Sequence, residues 1–128
     1  MTTPESKIKA RVRKLLTHPR IWQFWPVPSG MQAATLDIHG VIRVFDLPVF
    51  FMVETKAPDG RLTLRQRAHV QAMRDKLNVR VFVVRDDRTF AELEAWIKWM
   101  LSFPERATLL PDHSPFPLPL SATLTPLT

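Results

Sequence analysis

The chain has 128 residues, 45% of them hydrophobic, which suits one globular domain with a single core. It contains no cysteine, which excludes disulfides and thiolate metal sites, and no apolar run approaches the ~20 residues that span a bilayer. Because no apolar segment follows the first charged residues, we expect no signal peptide, a cytoplasmic location and no membrane partner.

The net charge of +6 suggests a polyanionic partner, with nucleic acid as the first choice. The basic residues are concentrated in two clusters, at 1–20 and 61–80. If the clusters converge, they can bind the phosphate backbone of DNA; otherwise they are two solvated helix faces. The predicted phosphate-binding residues are Lys7, Arg11, Arg13, Lys14, Arg61, Arg65 and Arg67.

A first helix is predicted to begin after Thr3. Thr3 suits the N-cap, Pro4 suits the first helical position, and an apolar stripe at helical spacing begins at Ile8. Glu5 lies three residues before Ile8 and therefore projects from the same stripe. Its carboxylate is either a first-turn acid favoured by the helix dipole or a group directed at a buried site.

Residues 17–32 are predicted to form a loop, because prolines and a glycine interrupt them. The loop contains three aromatic anchors, Trp22, Phe24 and Trp25. Their rings either pack on the core, which is the interpretation we favour, or stack on bases.

Three strands are predicted next, at 34–39, 41–45 and 49–56. A turn is predicted at 46–48, and the short links between the strands favour an antiparallel meander. The third strand is apolar enough to be buried on both faces.

A second helix is predicted from Thr63, since Thr63 and Gln66 form a capping-box pattern, and Asn78 ends it. A fourth strand follows at 79–84. A helix between two strands implies a right-handed crossover, so the third and fourth strands should pair in parallel.

A third amphipathic helix is predicted after a turn at 86–88, with Thr89 and Glu92 as its capping box. The order α-β-β-β-α-β-α predicts an α/β fold of the mixed α+β kind, with a central mixed sheet flanked by helices, over residues 1–103. Residues 104–128 hold half of the twelve prolines and show no periodicity. They are interpreted as an extended tail, either draped over a surface or disordered.

Two opposite charges end the third strand. Glu54 and Lys56 are two residues apart and share a face, where buried charge is costly unless it is paired or bound to a metal. Asp37 can converge with Glu54, because adjacent strands lie ~4.8 Å apart. Two carboxylates, a carbonyl and water suit Mg²⁺, and Lys56 would lie beside the water or phosphate. The alternatives are a structural Glu54–Lys56 ion pair and a surface position for Asp37.

This spacing resembles that of the PD-(D/E)XK nuclease superfamily. More narrowly, Gly30 followed by LDIHG at 36–40 and MVETKAPDGRLTLRQ at 52–66 is similar to the VRR-NUC family of virus-type replication-repair nucleases. The resemblance covers about residues 5–85. It implies a PD-(D/E)XK-like domain with an α-β-β-β-α-β core, to which the third helix and the proline-rich tail are added.

The resemblance also implies roles for the residues that match the motif. Asp37 and Glu54 correspond to the acids that bind Mg²⁺ or Mn²⁺, and the backbone carbonyl of Thr55 to a further ligand. Lys56 corresponds to the catalytic lysine. No small-molecule cofactor is implied.

Two supporting residues complete the match. Gln66 corresponds to a glutamine that supports the site, and Glu5 to an acid on the first helix that reaches the metal directly or through water. For both residues, a role in capping or starting the helix is the alternative. Leu36 departs from the pattern, because a proline often precedes the aspartate in the family.

The resulting expectation is a metal-dependent DNA endonuclease that is selective for branched or junction DNA in replication, repair or recombination. A homodimer is expected by analogy with the family, because one small domain with one site often pairs to cut two strands. The rivals are a non-catalytic nucleic-acid-binding subunit with the nuclease fold, and an assembly protein whose tail and tryptophans bind another chain.

Overall fold

The computed structural model describes residues 3–26 and 36–107. Its helices and strands are α1 (Pro4–Leu15), β1 (Ile21–Phe24), β2 (Ile38–Val44), β3 (Leu47–Thr55), α2 (Leu64–Leu77), β4 (Arg80–Val84) and α3 (Asp87–Leu101). The strands form one sheet in the order β1-β2-β3-β4, antiparallel except for the parallel pair of β3 and β4. The predicted mixed α+β fold and parallel crossover are therefore confirmed. None of the described helices is long and apolar enough to cross a membrane.

The predicted starts of α1 and α2 are confirmed. Thr3 Oγ1 accepts a hydrogen bond from the backbone of Ser6 and caps α1. Thr63 and Gln66 form both bonds of the capping box at α2, and Asn78 ends that helix with a left-handed backbone. These ends depend on bonds within a few residues of sequence, which is why the local pattern predicts them.

Each face of the sheet has its own core. The larger core lies between the sheet and helices α1 and α3, and its most deeply buried residues include Val12, Ile38, Ile42, Phe51, Val53, Leu93 and Ile97. The smaller core lies under α2 and consists of Leu36, Val70 and Val81. Consequently α1 and α3 cover one face of the sheet and α2 covers part of the other.

The first two strands differ from the prediction. β1 lies inside the predicted loop at 17–32 and pairs with β2 along its whole length. The strands predicted at 34–39 and 41–45 form one strand, β2, while residues 34 and 35 lie outside the described part of the chain. Gly40 does not break this strand, because it lies against the ring of Phe51: a Cβ at Gly40 would be 2.2 Å from Phe51 Cζ.

The aromatic residues of β1 also differ from the expectation of core packing. Trp25 packs against the larger core. Trp22 and Phe24 are 57% and 48% exposed, because Ile21 and Gln23 occupy the face of β1 that is turned towards α1. The two exposed rings therefore lie on the opposite face of the sheet.

The β2–β3 turn consists of Phe45 and Asp46, so the turn predicted at 46–48 is wrong. Both residues have positive φ, at 51° and 66°, which is typical of the tight hairpin turn that matches strand twist. Their backbone N–H groups donate to Pro104 O and Glu105 O at 2.9 and 2.8 Å. The chain after α3 thus stabilises a conformation that a phenylalanine rarely adopts.

The start of α3 is also a correction. The predicted turn at 86–88 is instead the beginning of the helix, and Asp86 is its N-cap. Asp86 and Thr89 form the capping box, so the predicted box of Thr89 with Glu92 is wrong. Aspartate suits the N-cap as well as threonine does, so Asp86 with Thr89 and Thr89 with Glu92 are both capping-box patterns, and the sequence did not distinguish them. Of the predicted tail, residues 108–128 lie outside the described part of the chain.

Candidate active site

Glu54 lies at the centre of the candidate site. In the described part of the chain, Glu54 and Thr55 are the buried polar residues, and Glu54 is only 2% exposed. Its Oε2 accepts a hydrogen bond from the backbone N–H of Asp37 at 3.1 Å, and its Oε1 accepts one from Gln66 Nε2 at 3.0 Å. Lys56 Nζ lies 3.7 Å from the same Oε1. Neighbouring groups therefore hold this carboxylate in place.

Asp37 is held against the same strand. Its Oδ2 accepts two hydrogen bonds from Thr55, from the backbone N–H at 2.9 Å and from the hydroxyl at 2.6 Å. Asp37 Oδ1 makes no hydrogen bond with any described residue. The structure brings the Asp37 backbone and the Lys56 ammonium close to the Glu54 carboxylate, and a ligand shared by the two carboxylates stays a prediction.

Strand register explains this meeting. Ile38 pairs with Val53 across the antiparallel β2–β3 ladder, so Asp37, just before β2, lies beside Glu54. Glu54 follows Met52 on the face that α2 covers. Because α2 begins after β3 ends and returns towards β4, its first turn lies at this edge. Gln66 therefore does two jobs: its Oε1 accepts from Thr63 N–H, and its Nε2 donates to Glu54.

The site disfavours a negative charge on Glu54. Burial and repulsion from Asp37 raise the pKa of Glu54 from its ordinary 4.5 to about 7. The Asp37 N–H group and the cations of Lys56 and Lys9 offset this only in part. Added positive charge would stabilise two adjacent ionised carboxylates, so the site is suited to a divalent cation. Carboxylate oxygens are hard donors, which suit Mg²⁺ or Mn²⁺.

The raised pKa predicts how stability depends on pH. Below 4.5, Glu54 is protonated in both the folded and the unfolded chain; between 4.5 and 7, only the unfolded chain ionises, so the free energy of unfolding falls as pH rises. The loss approaches about 3 kcal/mol above pH 7. We expect Glu54→Gln to remove this component in urea unfolding with EDTA between pH 4.5 and 8. Glu92→Gln is the matched control, because Glu92 is an exposed residue of α3. Identical pH profiles for wild type and Glu54→Gln would contradict the prediction.

Glu5 does not join the other acids in direct contact. Its side chain is 39% exposed and its carboxylate lies 3.9 Å from Lys9 Nζ, one turn along α1. No cluster of three or more acidic, histidine or cysteine residues that could hold a metal occurs within 3–26 and 36–107. The roles of Glu5 through water and of the Thr55 carbonyl as a ligand stay predictions.

The two basic clusters lie on opposite faces of the sheet, because one is carried by α1 and the other by α2. Short connections place the N-terminal ends of both helices at the edge where β3 ends. Two arginines of the first cluster make contacts with other residues of the chain. Arg11 pairs with Asp87 at 2.7 Å, and Arg13 lies 4.3 Å from the ring centre of Trp25. The other five predicted phosphate-binding residues, Lys7, Lys14, Arg61, Arg65 and Arg67, are exposed. Convergence on one phosphate surface stays a prediction.

Two contributors were missed by sequence reasoning. The Thr55 hydroxyl and N–H orient Asp37, whereas the motif assigns Thr55 only a carbonyl. Lys9 lowers the pKa of Glu54 through its charge, although it lies on a different element. The alternation of β3 turns the Thr55 side chain away from Glu54, so a contact with Asp37 was not visible in the local pattern. Lys9 had a weak signal, because it is four residues after Glu5 on the same helix face.

The fold and site define a mixed α+β protein with a buried carboxylate–lysine site at the end of a sheet. Comparison with family models, with curated proteins and with solved structures finds no match. The resemblance to VRR-NUC nucleases therefore rests on the sequence motif and the element order.

Proposed function

We propose that this protein is a metal-dependent DNA endonuclease that hydrolyses phosphodiester bonds, with Asp37 and Glu54 as ligands for Mg²⁺ or Mn²⁺ and Lys56 as the catalytic lysine. The observation that carries the proposal is that buried Glu54 accepts a hydrogen bond from the backbone N–H of Asp37 and lies 3.7 Å from Lys56 Nζ. Branched or junction DNA in replication, repair or recombination is the proposed substrate, and a homodimer the proposed assembly.

A structural ion pair explains these contacts less well. Lys56 Nζ is 3.7 Å from Glu54, beyond ordinary hydrogen-bond length, and the pKa of Glu54 stays raised to about 7 despite that cation. A pair selected for stability would not need a second carboxylate against Glu54. Uncompensated charge in a buried cluster is typical of functional sites, where a ligand supplies the missing charge.

The chemistry follows from the arrangement of these groups. In hydrolysis, the oxygen of a water molecule bonds to phosphorus, a P–O bond to a sugar oxygen breaks, and the leaving oxygen takes up a proton. Lys56 is placed to orient the water or to stabilise the negative charge that develops on the phosphate. Gln66 and Thr55 hold the two carboxylates in position. A divalent ion, when bound, would neutralise phosphate charge and acidify nearby water.

The experiment is a cleavage panel of linear duplex, single-stranded, flap and four-way-junction DNA, each with Mg²⁺, Mn²⁺ or EDTA. We expect nicking with either metal and none in EDTA. Binding without metal-dependent nicking on any substrate would favour the non-catalytic subunit instead. Absent binding, or binding that does not weaken with salt, would favour the assembly protein, because phosphate contacts must weaken as salt rises.

A further inference from the structure

Within residues 3–26 and 36–107, one face of the sheet carries exposed aromatic rings beside the part that α2 covers. Trp22, Val41 and Phe50 are register partners across β1, β2 and β3, and all lie on this face. Trp22 and Phe50 are 57% and 59% exposed. The ring of Phe24, which is 48% exposed, stacks on Trp22 with centroids 5.8 Å apart and planes within 10°. These side chains form what we call the aromatic face: Trp22, Phe24, Val41 and Phe50.

The aromatic face and the candidate site lie on the same side of the sheet, and α2 covers the part of that side nearer the site. Phe50, Met52 and Glu54 alternate along one side of β3, so the exposed ring and the buried carboxylate share a face. Phe50 and Glu54 are four positions apart along the strand, a distance of about 13 Å. This length corresponds to about four stacked bases at 3.4 Å each.

Cations border the aromatic face. Arg74 of α2 donates to Val81 O of β4, so the opposite side of α2 is turned towards β2. That side carries Arg65 and Lys76, both exposed, which lie about one turn before and two turns after His69. Arg43 of β2 also lies on this face of the sheet, because its neighbours Ile42 and Val44 are buried on the other, but it pairs with Asp46 at 2.7 Å and adds no net charge. An apolar surface with basic residues along its border is complementary to a nucleic-acid strand whose bases lie on the surface and whose phosphates lie at the border.

We infer that the aromatic face binds unpaired bases, and that the substrate presents a single-stranded segment or branch next to the bond to be cut. Bases in a continuous duplex are already stacked and cannot lie flat on the rings, whereas every unpaired base offers a π-face. The near-parallel rings of Trp22 and Phe24 form the first layers of a stack that a base can extend. This inference rests on the proposed function for the cleavage step, but not for binding.

A protein partner is a poorer occupant of this face. Arg65 and Lys76 give the border of these rings a positive charge, which complements the phosphates of a nucleic-acid strand. The shared side of β3 also brings these rings within about 13 Å of Glu54, where a nucleic-acid substrate would be cut.

The test measures binding in EDTA, so that it is independent of cleavage. Fluorescently labelled oligo(dT) and a duplex of equal length are titrated with wild type, with Trp22→Ala and with Phe50→Ala. We expect each variant to weaken oligo(dT) binding about tenfold and to leave duplex binding within about twofold, since stacking acts on unpaired bases. Trp99→Ala is the matched control, because Trp99 is 56% exposed on α3, on the other side of the sheet.

The outcomes separate the hypotheses. Equal affinity of wild type, Trp22→Ala and Phe50→Ala for oligo(dT) would overturn the inference, provided that their thermal unfolding is unchanged. If sedimentation shows that both variants lose a dimer while oligo(dT) affinity is retained, the face is an interface between copies. If both variants lose oligo(dT) affinity but wild type cuts no DNA with metal, the inference stands and the proposed endonuclease activity fails.

Discussion

Lys56→Ala is expected to reduce metal-dependent DNA cleavage by about 10²–10³-fold while leaving DNA binding in EDTA unchanged. Loss of one preorganised charge at the reacting phosphate has an effect of this size on the chemical step. Lys56 is only 17% exposed and its described partner is Glu54, so it contributes little to general attraction for DNA. Single-turnover cleavage of the best substrate from the panel measures the change.

The control for this variant is Lys98→Ala. Lys98 is 72% exposed on α3, where it pairs with Glu94 at 3.8 Å, so the variant removes the same charge away from the site. Cleavage by Lys98→Ala should match wild type within about twofold, as for ordinary surface changes. If Lys56→Ala cuts at the wild-type rate, Lys56 has no catalytic role and the Glu54–Lys56 contact is structural.

Asp37→Asn is expected to abolish detectable Mg²⁺ binding and, with it, cleavage. Asparagine is preferred to alanine because its amide oxygen can still accept both hydrogen bonds from Thr55, whose buried N–H would otherwise lose its partner at about 1–3 kcal/mol. The amide NH₂ then occupies the position of Oδ1 and offers a donor where a ligand is needed. Calorimetric titration with Mg²⁺ and Mn²⁺ measures the loss.

Proton release gives this experiment a readout that does not depend on activity. Wild-type Glu54 has a pKa near 7, so metal binding at pH 6.5 should displace a proton from part of the molecules. Titrations in buffers of different ionisation enthalpy report that number. Asp59→Asn, a change at an exposed residue in the turn after β3, should behave as wild type. Metal affinity that is unchanged in Asp37→Asn would exclude Asp37 as a ligand.

Local patterns predicted the parts of this fold that local bonds stabilise. The caps at Thr3 and Thr63 and the parallel crossover through α2 depend on neighbouring residues or on chain handedness. The turn at Phe45 and Asp46 was not predictable, because its positive φ values are stabilised by carbonyl groups almost sixty residues away. Local patterns likewise did not show why a glycine lies within β2, where the ring of Phe51 from the next strand leaves no room for a side chain.

The candidate site also has features that local sequence predicted and features that only the tertiary structure shows. Alternation along one strand predicted that Glu54 and Lys56 share a face, and they are in contact. The motif predicted the partners Asp37 and Gln66, but only strand register and the position of α2 bring their atoms to 3.0–3.1 Å from Glu54. Glu5 lies 3.9 Å from Lys9 on α1, and its role at the metal stays a prediction.

The sequence by itself determined the three helices, the strands β3 and β4 and the residue types that meet at the end of β3, because these depend on short-range periodicity and capping. Only the tertiary structure decided that Trp22 and Phe24 belong to an exposed strand. It also decided that the pKa of Glu54 is raised by burial and by Asp37. Exposure, dielectric environment and charge repulsion depend on which distant groups surround a side chain, and no local pattern encodes those distances.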